Sequence, residues 1–155
     1  MEKPLKEIKM LMKISKMSLD KFELVASLPV DIAKALDLTK VQFEFNIGIG
    51  VDIIKKNISI VLTTHVFGEE EKINKLGEIV STGIFDLENI EEIIAQNEEK
   101  IPNVLLASLV GIVIATTRGF FILKTEGTFL QGLILPAVDP MMFFKKPIEQ
   151  KGIPK

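Results

Sequence analysis

The residues best suited to chemistry in this sequence are few and scattered. His65 is the only histidine, and there is no cysteine, which excludes thiol nucleophiles, thiolate metal sites and disulfides. A lone histidine needs a carboxylate or a second ligand to act as a general base or to bind a metal. No such partner lies near His65 in the sequence. We therefore interpret His65 as a structural or solvated histidine, and we predict no catalytic residue and no metal site.

Two further patterns that are typical of active sites are too weak here to predict one. The Gly-Ile-Gly at residues 48–50 lacks the third glycine and the helix start of a dinucleotide-binding loop, so we interpret it as a β-bulge or a bend in a sheet. The aspartates Asp52, Asp86 and Asp139 are far apart in the sequence and do not indicate a metal-binding group. We expect no cofactor.

Composition limits the class of protein. Of the 155 residues, 47% are hydrophobic and 26% are charged, which is enough for a core, and we expect a single domain over residues 1–155. A net charge of −2 gives no reason to expect nucleic-acid binding. The lack of cysteine fits a reducing compartment, and lysines interrupt the apolar run that a secretory signal would need. These features predict a cytoplasmic protein.

The longest uncharged stretch, residues 101–117, has two interpretations, a membrane anchor or a buried helix. Its continuous apolar part, residues 104–115, is shorter than the roughly 17 residues that a spanning helix needs, which favours the buried helix. Ala107, Gly111 and Ala115 recur every four residues and are expected on one face, where another surface can approach closely. Such a helix has more apolar surface than one sheet covers, so we predict burial on both sides through self-association and no stable membrane insertion.

Hydrophobic periodicity predicts the elements around this helix. Apolar residues alternate over residues 41–51 and 58–66, and a third strand is expected over residues 73–85. Residues 8–19 also alternate, with a change of parity that a β-bulge would produce; their lysines also fit a basic helical face, but we favour the strand. A short amphipathic helix is expected within residues 89–100. The prediction is an α+β domain, in which a four-stranded antiparallel sheet is followed by a short and a long helix packed on one face.

Several short segments of the chain also follow one another in a familiar order. They are Gly-Ile-Phe at residues 83–85, Pro-Asn at 102–103, Arg-Gly at 118–119, and an apolar run with Leu133, Leu135 and Pro136 that leads to Val138 and Asp139. In this order, over most of the chain, the sequence resembles the SecB family of protein-export chaperones. The match is loose, since no single segment is diagnostic.

The chain departs from the family pattern at two places. Residues 120–126 are an insertion between the Arg-Gly pair and the apolar run. Beyond Asp139, which replaces the usual asparagine, Pro147 and Pro154 interrupt the region where the family has a long amphipathic helix. The sequence therefore resembles a divergent member.

The resemblance implies a chaperone that holds unfolded or precursor polypeptides in apolar grooves and is assembled as a dimer of dimers with the long helices between the sheets. Flexible methionine and aromatic side chains suit a surface that binds many sequences. The candidate client-binding residues are Phe120, Phe121, Met141, Met142, Phe143 and Phe144. The alternative is that the Met-Met-Phe-Phe run closes the core. The candidate self-association residues are Ala107, Gly111 and Ala115.

The resemblance also implies delivery of clients to the SecA motor through acidic residues, here Asp20, Glu69 and Glu70. Lys16 stands where the family has a further acid, and such a reversal opposes docking. A chaperone for another client, such as an antitoxin, is therefore an alternative, and the alternative for Glu69 to Glu71 is a solvated turn. The remaining alternative is a small hot-dog-like enzyme or lipid-binding domain, although such a fold places its long helix after an early strand. That alternative predicts one enclosed pocket with convergent polar groups around His65.

Overall fold

Four long strands form one antiparallel sheet in the computed structural model, which describes residues 11–25, 37–69, 75–145 and 150–151. They are β1 (Met12–Leu24), β2 (Gln42–Asp52), β3 (Asn57–Phe67) and β4 (Lys75–Leu87), and the two-residue strand β5 (Gln150–Lys151) pairs in parallel with β2. The order across the sheet is β1-β4-β3-β2-β5. Strands β2, β3 and β4 are consecutive neighbours, whereas β1 lies beside β4, which is a Greek-key arrangement.

Alternation along each strand separates an inner and an outer face of the sheet. Ile58, Ile60 and Leu62 of β3 are fully buried on the inner face, and the residues between them face outward. The connection between β2 and β3 is a turn at residues 53–56. The register of β2 on β3 is continuous from Gln42 to Asp52, so the bulge suggested for residues 48–50 is absent from this pair.

Strand β1 contains the irregularity that its sequence predicts. Its register on β4 shifts between Ile14 and Lys16 and again between Leu19 and Lys21. The first shift is the predicted bulge; residues 8–10 of the predicted strand lie outside the described residues. The strand also runs five residues beyond the predicted end at Leu19, because the second shift restores the inward direction of the apolar side chains that follow.

Two helices follow the sheet, as predicted. Helix α1 (Ile90–Gln96) buries Ile90, Ile93 and Ile94. Helix α2 (Asn103–Thr125) has 23 residues and packs on the inner face of the sheet. By length and composition it is apolar enough to cross a membrane, and half of that apolar stretch is buried within the protein. The α+β prediction is confirmed.

The insertion at residues 120–126 lengthens α2. The family resemblance implies that the helix closes at Arg118-Gly119, but here it continues to Thr125, which is more than one further turn. A left-handed residue, Gly127 with a φ of 76°, then reverses the chain. The insertion is thus a helical extension and not a loop.

The interior is divided into two apolar clusters. The major cluster contains the buried side chains of α1, most of those of α2, and the ends of β2, β3 and β4 that lie near the β2–β3 turn. The minor cluster lies under the extension of α2, and its buried members are Val66, Leu76, Ile79, Phe121, Leu130, Leu133 and Leu135.

A belt of buried hydroxyl residues lies between the two clusters. Thr64, Ser81 and Thr117 are at most 2% exposed, and in β3, β4 and α2 each stands between residues of the major and the minor cluster. The hydroxyls of Ser81 and Thr117 are hydrogen-bonded to each other, and Thr117 also donates to the carbonyl oxygen of Val113 at 2.7 Å. We call these three residues the hydroxyl belt.

Helix α2 packs directly against the sheet at Gly83. A Cβ atom added there would lie 2.7 Å from Cγ2 of Val113 and 2.9 Å from Sδ of Met17. We therefore expect Gly83→Ala to lower the free energy of unfolding by about 1–3 kcal/mol through overpacking. The measurement is urea unfolding followed by circular dichroism, with Gly48→Ala as the control, because the nearest atom to a Cβ there is 4.0 Å away. An equal response of the two variants would contradict the expectation.

Candidate functional site

The outward side of α2 is an apolar stripe on the surface. Its members, which we call the α2 stripe, are Val104, Ser108, Ala115, Gly119, Ile122 and Leu123. Val104 is 71% exposed, Ile122 48% and Leu123 70%, and no member is charged. Their spacing follows the period of a helix, so this side of α2 presents uncharged surface to solvent toward both ends of the helix, with the half-buried Gly111 and Ile112 between them.

The chain after α2 returns along the helix and borders this surface. Nη2 of Arg118 donates a hydrogen bond to the carbonyl oxygen of Pro136 at 3.1 Å. Further along, Pro140 lies beside Gly111, where an added Cβ atom would be 3.3 Å from the proline Cγ. The chain then forms a 3₁₀ turn, Pro140–Phe144, capped by Asp139, which accepts a hydrogen bond from the backbone N–H of Met141 at 3.0 Å.

The Met-Met-Phe-Phe run is divided by this turn. Met141 is 41% and Met142 57% exposed, whereas Phe143 and Phe144 are half-buried and pack against the major cluster. The run therefore closes the core with its phenylalanines and presents its methionines to solvent. Of the six candidate client-binding residues, these two methionines have the most accessible side chains.

The two phenylalanines of the α2 extension lie mainly inside the protein. Phe121 is 1% exposed and belongs to the minor cluster, and Phe120 is half-buried against the same cluster. Phe121 offers no surface to a client in this structure. Its burial explains what the extension does for the fold, since it supplies the aromatic ring that fills the minor cluster.

The three small residues proposed for self-association do not share one exposed face. Ala107 is 6% exposed, Gly111 is half-buried beside Pro140, and Ala115 is exposed. Residues four apart are rotated by about 40° around a helix, so eight residues carry the series from the buried side to the solvent side. The stripe that does face outward contains Ala115 alone of the three.

The acidic docking candidates are spread over the sheet. Asp20 is exposed on β1, and its carboxylate accepts hydrogen bonds from the hydroxyls of Ser18, at 2.8 Å, and Thr82. Glu69 follows β3 and forms an ion pair of 2.9 Å with Lys40; this contact raises the pKa of the Lys40 ammonium group. Glu70 lies outside the described residues. Both described carboxylates thus already have partners within the chain.

His65 has two carboxylate neighbours that the sequence alone did not suggest. Its Nδ1 is 3.8 Å from Oε1 of Glu44 on β2, and its Nε2 is 3.8 Å from Oε1 of Glu78 on β4. The hydrogen bond from Lys75 lowers the pKa of the Glu78 carboxyl group. The two carboxylates lie on opposite sides of the ring and so do not converge on one ion or one proton. The register of the β2–β3 hairpin pairs Glu44 with His65. Pairing the two strands in this register is what identifies Glu44 as a neighbour of His65.

Metal and pocket chemistry find little support in the part of the chain that the structure describes. There, no three His, Cys, Asp or Glu side chains are arranged to hold a metal ion. A cleft of about 570 Å³ lies at the turn end of the sheet, lined by Lys13, Lys55, Lys56, Asp86 and Glu88 together with Leu11 and Met12. It is separate from His65, around which an enzyme or lipid-binding domain was expected to have its pocket.

Comparison with known proteins finds similarity in structure only. No protein-family model matches the sequence, and no curated protein matches it. A SecB-like chaperone of Mycobacterium tuberculosis, solved in complex with a peptide from an antitoxin, superposes with a TM-score of 0.51 at 11% identity, over 82% of this chain and 87% of that one. A protein of unknown function from Streptococcus agalactiae matches at 15% identity over 84% of this chain and all of that one, but its TM-score of 0.32 is too low to support an argument. The first match shows a SecB-like fold.

Proposed function

We propose that this protein is a chaperone that holds unfolded polypeptides on an apolar surface. The observation that carries the proposal is the exposure of Met141 and Met142 beside α2. The capping aspartate and the two half-buried phenylalanines hold the turn in place, so the fold has no need of apolar side chains at the two methionine positions. Unbranched, polarisable methionine adapts to many partner sequences.

The SecB-like neighbour supports this function for the fold, because that chaperone is solved with a bound peptide. For the present chain the client is an unfolded polypeptide held in an extended or partly folded state, and no cofactor takes part. We place this activity in the cytoplasm, in keeping with a chain that has no cysteine.

Self-association belongs to the same proposal. The α2 stripe is self-complementary under a twofold axis near residues 113 and 114. In that antiparallel arrangement Val104 of each copy meets Leu123 of the other, and Ser108 meets Gly119, so that large residues meet at the ends and small ones between the ends and the axis. Pairing of the stripes would cover the apolar side of α2 and leave the two methionines at the rim.

We do not extend the proposal to delivery of clients to the SecA motor. Lys16 lies exposed on β1 near Asp20, and the carboxylates of Asp20 and Glu69 are engaged within the chain. A motor docking there would have to displace these contacts. Clients that are not exported, such as an antitoxin, are therefore favoured over precursors.

The test is light scattering from a chemically unfolded protein diluted into buffer with a stoichiometric amount of this protein. We expect the wild type to suppress aggregation and the double variant Met141→Ser/Met142→Ser to be several-fold less effective, because it loses the apolar contact area. Ile54→Ser, which removes an exposed apolar side chain elsewhere, is the matched control and should act like the wild type. Aggregation that continues with the wild type would disprove the proposed function, and full activity of the double variant would place the client elsewhere.

A further inference from the structure

The turn between β2 and β3, residues 53–56, presents an unusually exposed apolar side chain. Ile54 is 94% exposed. The turn around it is well fixed, because Oδ1 of Asp52 accepts a hydrogen bond from the backbone N–H of Lys55 at 2.9 Å. Ile53 packs against the major cluster. The exposure of Ile54 is thus built into a fixed turn, and burial of this side chain contributes nothing to the folded state.

The next two residues of the turn are exposed lysines, and one of them has a costly backbone conformation. Lys56 has a φ of 55°, in the left-handed region that asparagine or glycine adopts more easily. Its carbonyl oxygen accepts a hydrogen bond from the backbone N–H of Leu87 at 2.8 Å, which holds that conformation. Asparagine or glycine at position 56 would therefore stabilise the fold more than lysine does. What the lysine contributes at this position is a positive charge.

The lysines of this turn lack, among the residues that the structure describes, the ion pairs that lysines at the other end of the sheet form. Lys21, Lys40 and Lys75 all form ion pairs with glutamates. Within the described part of the chain, Lys55 and Lys56 form none. Their ammonium groups are available to an external anion.

A third lysine and further apolar surface lie close to the turn. Lys13 lines the same cleft as Lys55 and Lys56 and likewise forms no ion pair with described residues. Leu11 and Met12, which also line it, are 43% and 39% exposed. Apolar and cationic groups are therefore combined at one end of a chain whose net charge is negative.

We propose that this end of the sheet docks reversibly on an anionic lipid surface, with Ile54 entering the boundary of the acyl chains and the lysines at the level of the phosphates. A turn whose one apolar side chain is 94% exposed suits a soft surface, since a protein partner would have to supply a matching pocket. Lysine side chains suit this position because their stems lie along apolar groups while the ammonium stays at the headgroups.

The docking is expected to be weak and sensitive to salt. Asp86 and Glu88 line the same cleft and oppose the attraction of an anionic surface for the lysines. A small number of cations near such a surface, together with one buried apolar side chain, gives reversible and not permanent attachment. This inference is independent of the proposed function, since it involves Ile54 and the lysines of the β2–β3 turn and not Met141 and Met142.

The test is flotation of the full-length protein with vesicles made of equal parts phosphatidylglycerol and phosphatidylcholine, compared with phosphatidylcholine alone. We expect binding to the anionic vesicles at low salt and its loss when salt is raised. Ile54→Ser should weaken the binding by about tenfold or more, and so should Lys55→Gln/Lys56→Asn, in which asparagine accepts the left-handed conformation. Ile134→Ser is the control, because Ile134 is 61% exposed in a different part of the surface.

Three outcomes would overturn the inference. They are failure of the wild type to float with anionic vesicles, equal binding by the Ile54→Ser variant, and binding that responds to these substitutions only with an acidic protein as the partner. Client holding by the same variants, measured by light scattering, should match the wild type, so that a failure of lipid docking is distinguishable from a failure of the proposed function.

Discussion

Replacement of Phe121 by alanine should lower the free energy of unfolding by about 3–5 kcal/mol, the cost of a cavity left by a fully buried phenylalanine. The ring is 1% exposed and belongs to the minor cluster, where the surrounding leucines come from a connection with little regular structure. Collapse around the cavity would require that connection to move away from its contacts with the sheet.

The measurement for Phe121→Ala is urea unfolding at a fixed protein concentration. Because the chain has neither tryptophan nor tyrosine, circular dichroism is the suitable probe. Ile134→Ala is the matched control, since Ile134 belongs to the same connection but is 61% exposed, and its effect should stay within about 0.5 kcal/mol. A midpoint for Phe121→Ala that equals the control would mean that the extension of α2 is not part of the stable core.

The variant Ala115→Glu should convert the self-associated protein into monomers. In the proposed antiparallel pairing of two α2 stripes, Ala115 of each copy lies opposite Ile112 of the other, so the substitution would bury a carboxylate on each side without a cation to pair with it. Ala115 is exposed in the single chain, so the substitution should leave the folded monomer intact. This distinguishes it from a substitution at Gly111, which would first disturb the contact with Pro140.

The measurement for Ala115→Glu is sedimentation or light scattering after size exclusion. We expect the wild type to have a mass that is a multiple of 17.3 kDa and the variant to have the mass of one chain. Gln131→Glu, which adds the same charge at an exposed position outside the stripe, is the control and should associate like the wild type. A wild type that is monomeric, or a variant that still associates, would show that the stripe is not an interface between copies.

The parts of the fold that could be predicted are those with a strong local pattern. Alternation in β2 and β3 and the isoleucine spacing of α1 depend on neighbouring residues only, and each appears as expected. The bulge in β1 was also visible, because a change in parity from Ile14 to Met17 has no other explanation in a continuous strand. Periodicity predicts the individual elements but not how they are arranged. The SecB-like arrangement was predicted from the order of the short motifs.

The parts that could not be predicted depend on contacts between distant segments. An apolar run such as Met-Met-Phe-Phe has no period that shows which side chains point inward, and here the cap at Asp139 and the position of Pro140 against α2 decide it. The continuation of α2 beyond Arg118-Gly119 was obscured because a glycine ordinarily weakens a helix. The burial of Phe121 compensates for the destabilising effect of this glycine, and only the tertiary structure reveals that burial.

The hydroxyl belt implies that the protein need not open as one unit. Apolar contacts make the unfolding of a core cooperative, because the loss of one contact exposes the next. The layer of Thr64, Ser81 and Thr117 separates the two apolar clusters and so reduces this cooperativity between them. Hydrogen exchange at the amides of residues 128–135 should then proceed through a local opening that costs less than global unfolding, while amides over the major cluster exchange only when the whole chain unfolds. The sheet and most of α2 would then stay folded while the segment over the minor cluster opens and closes locally.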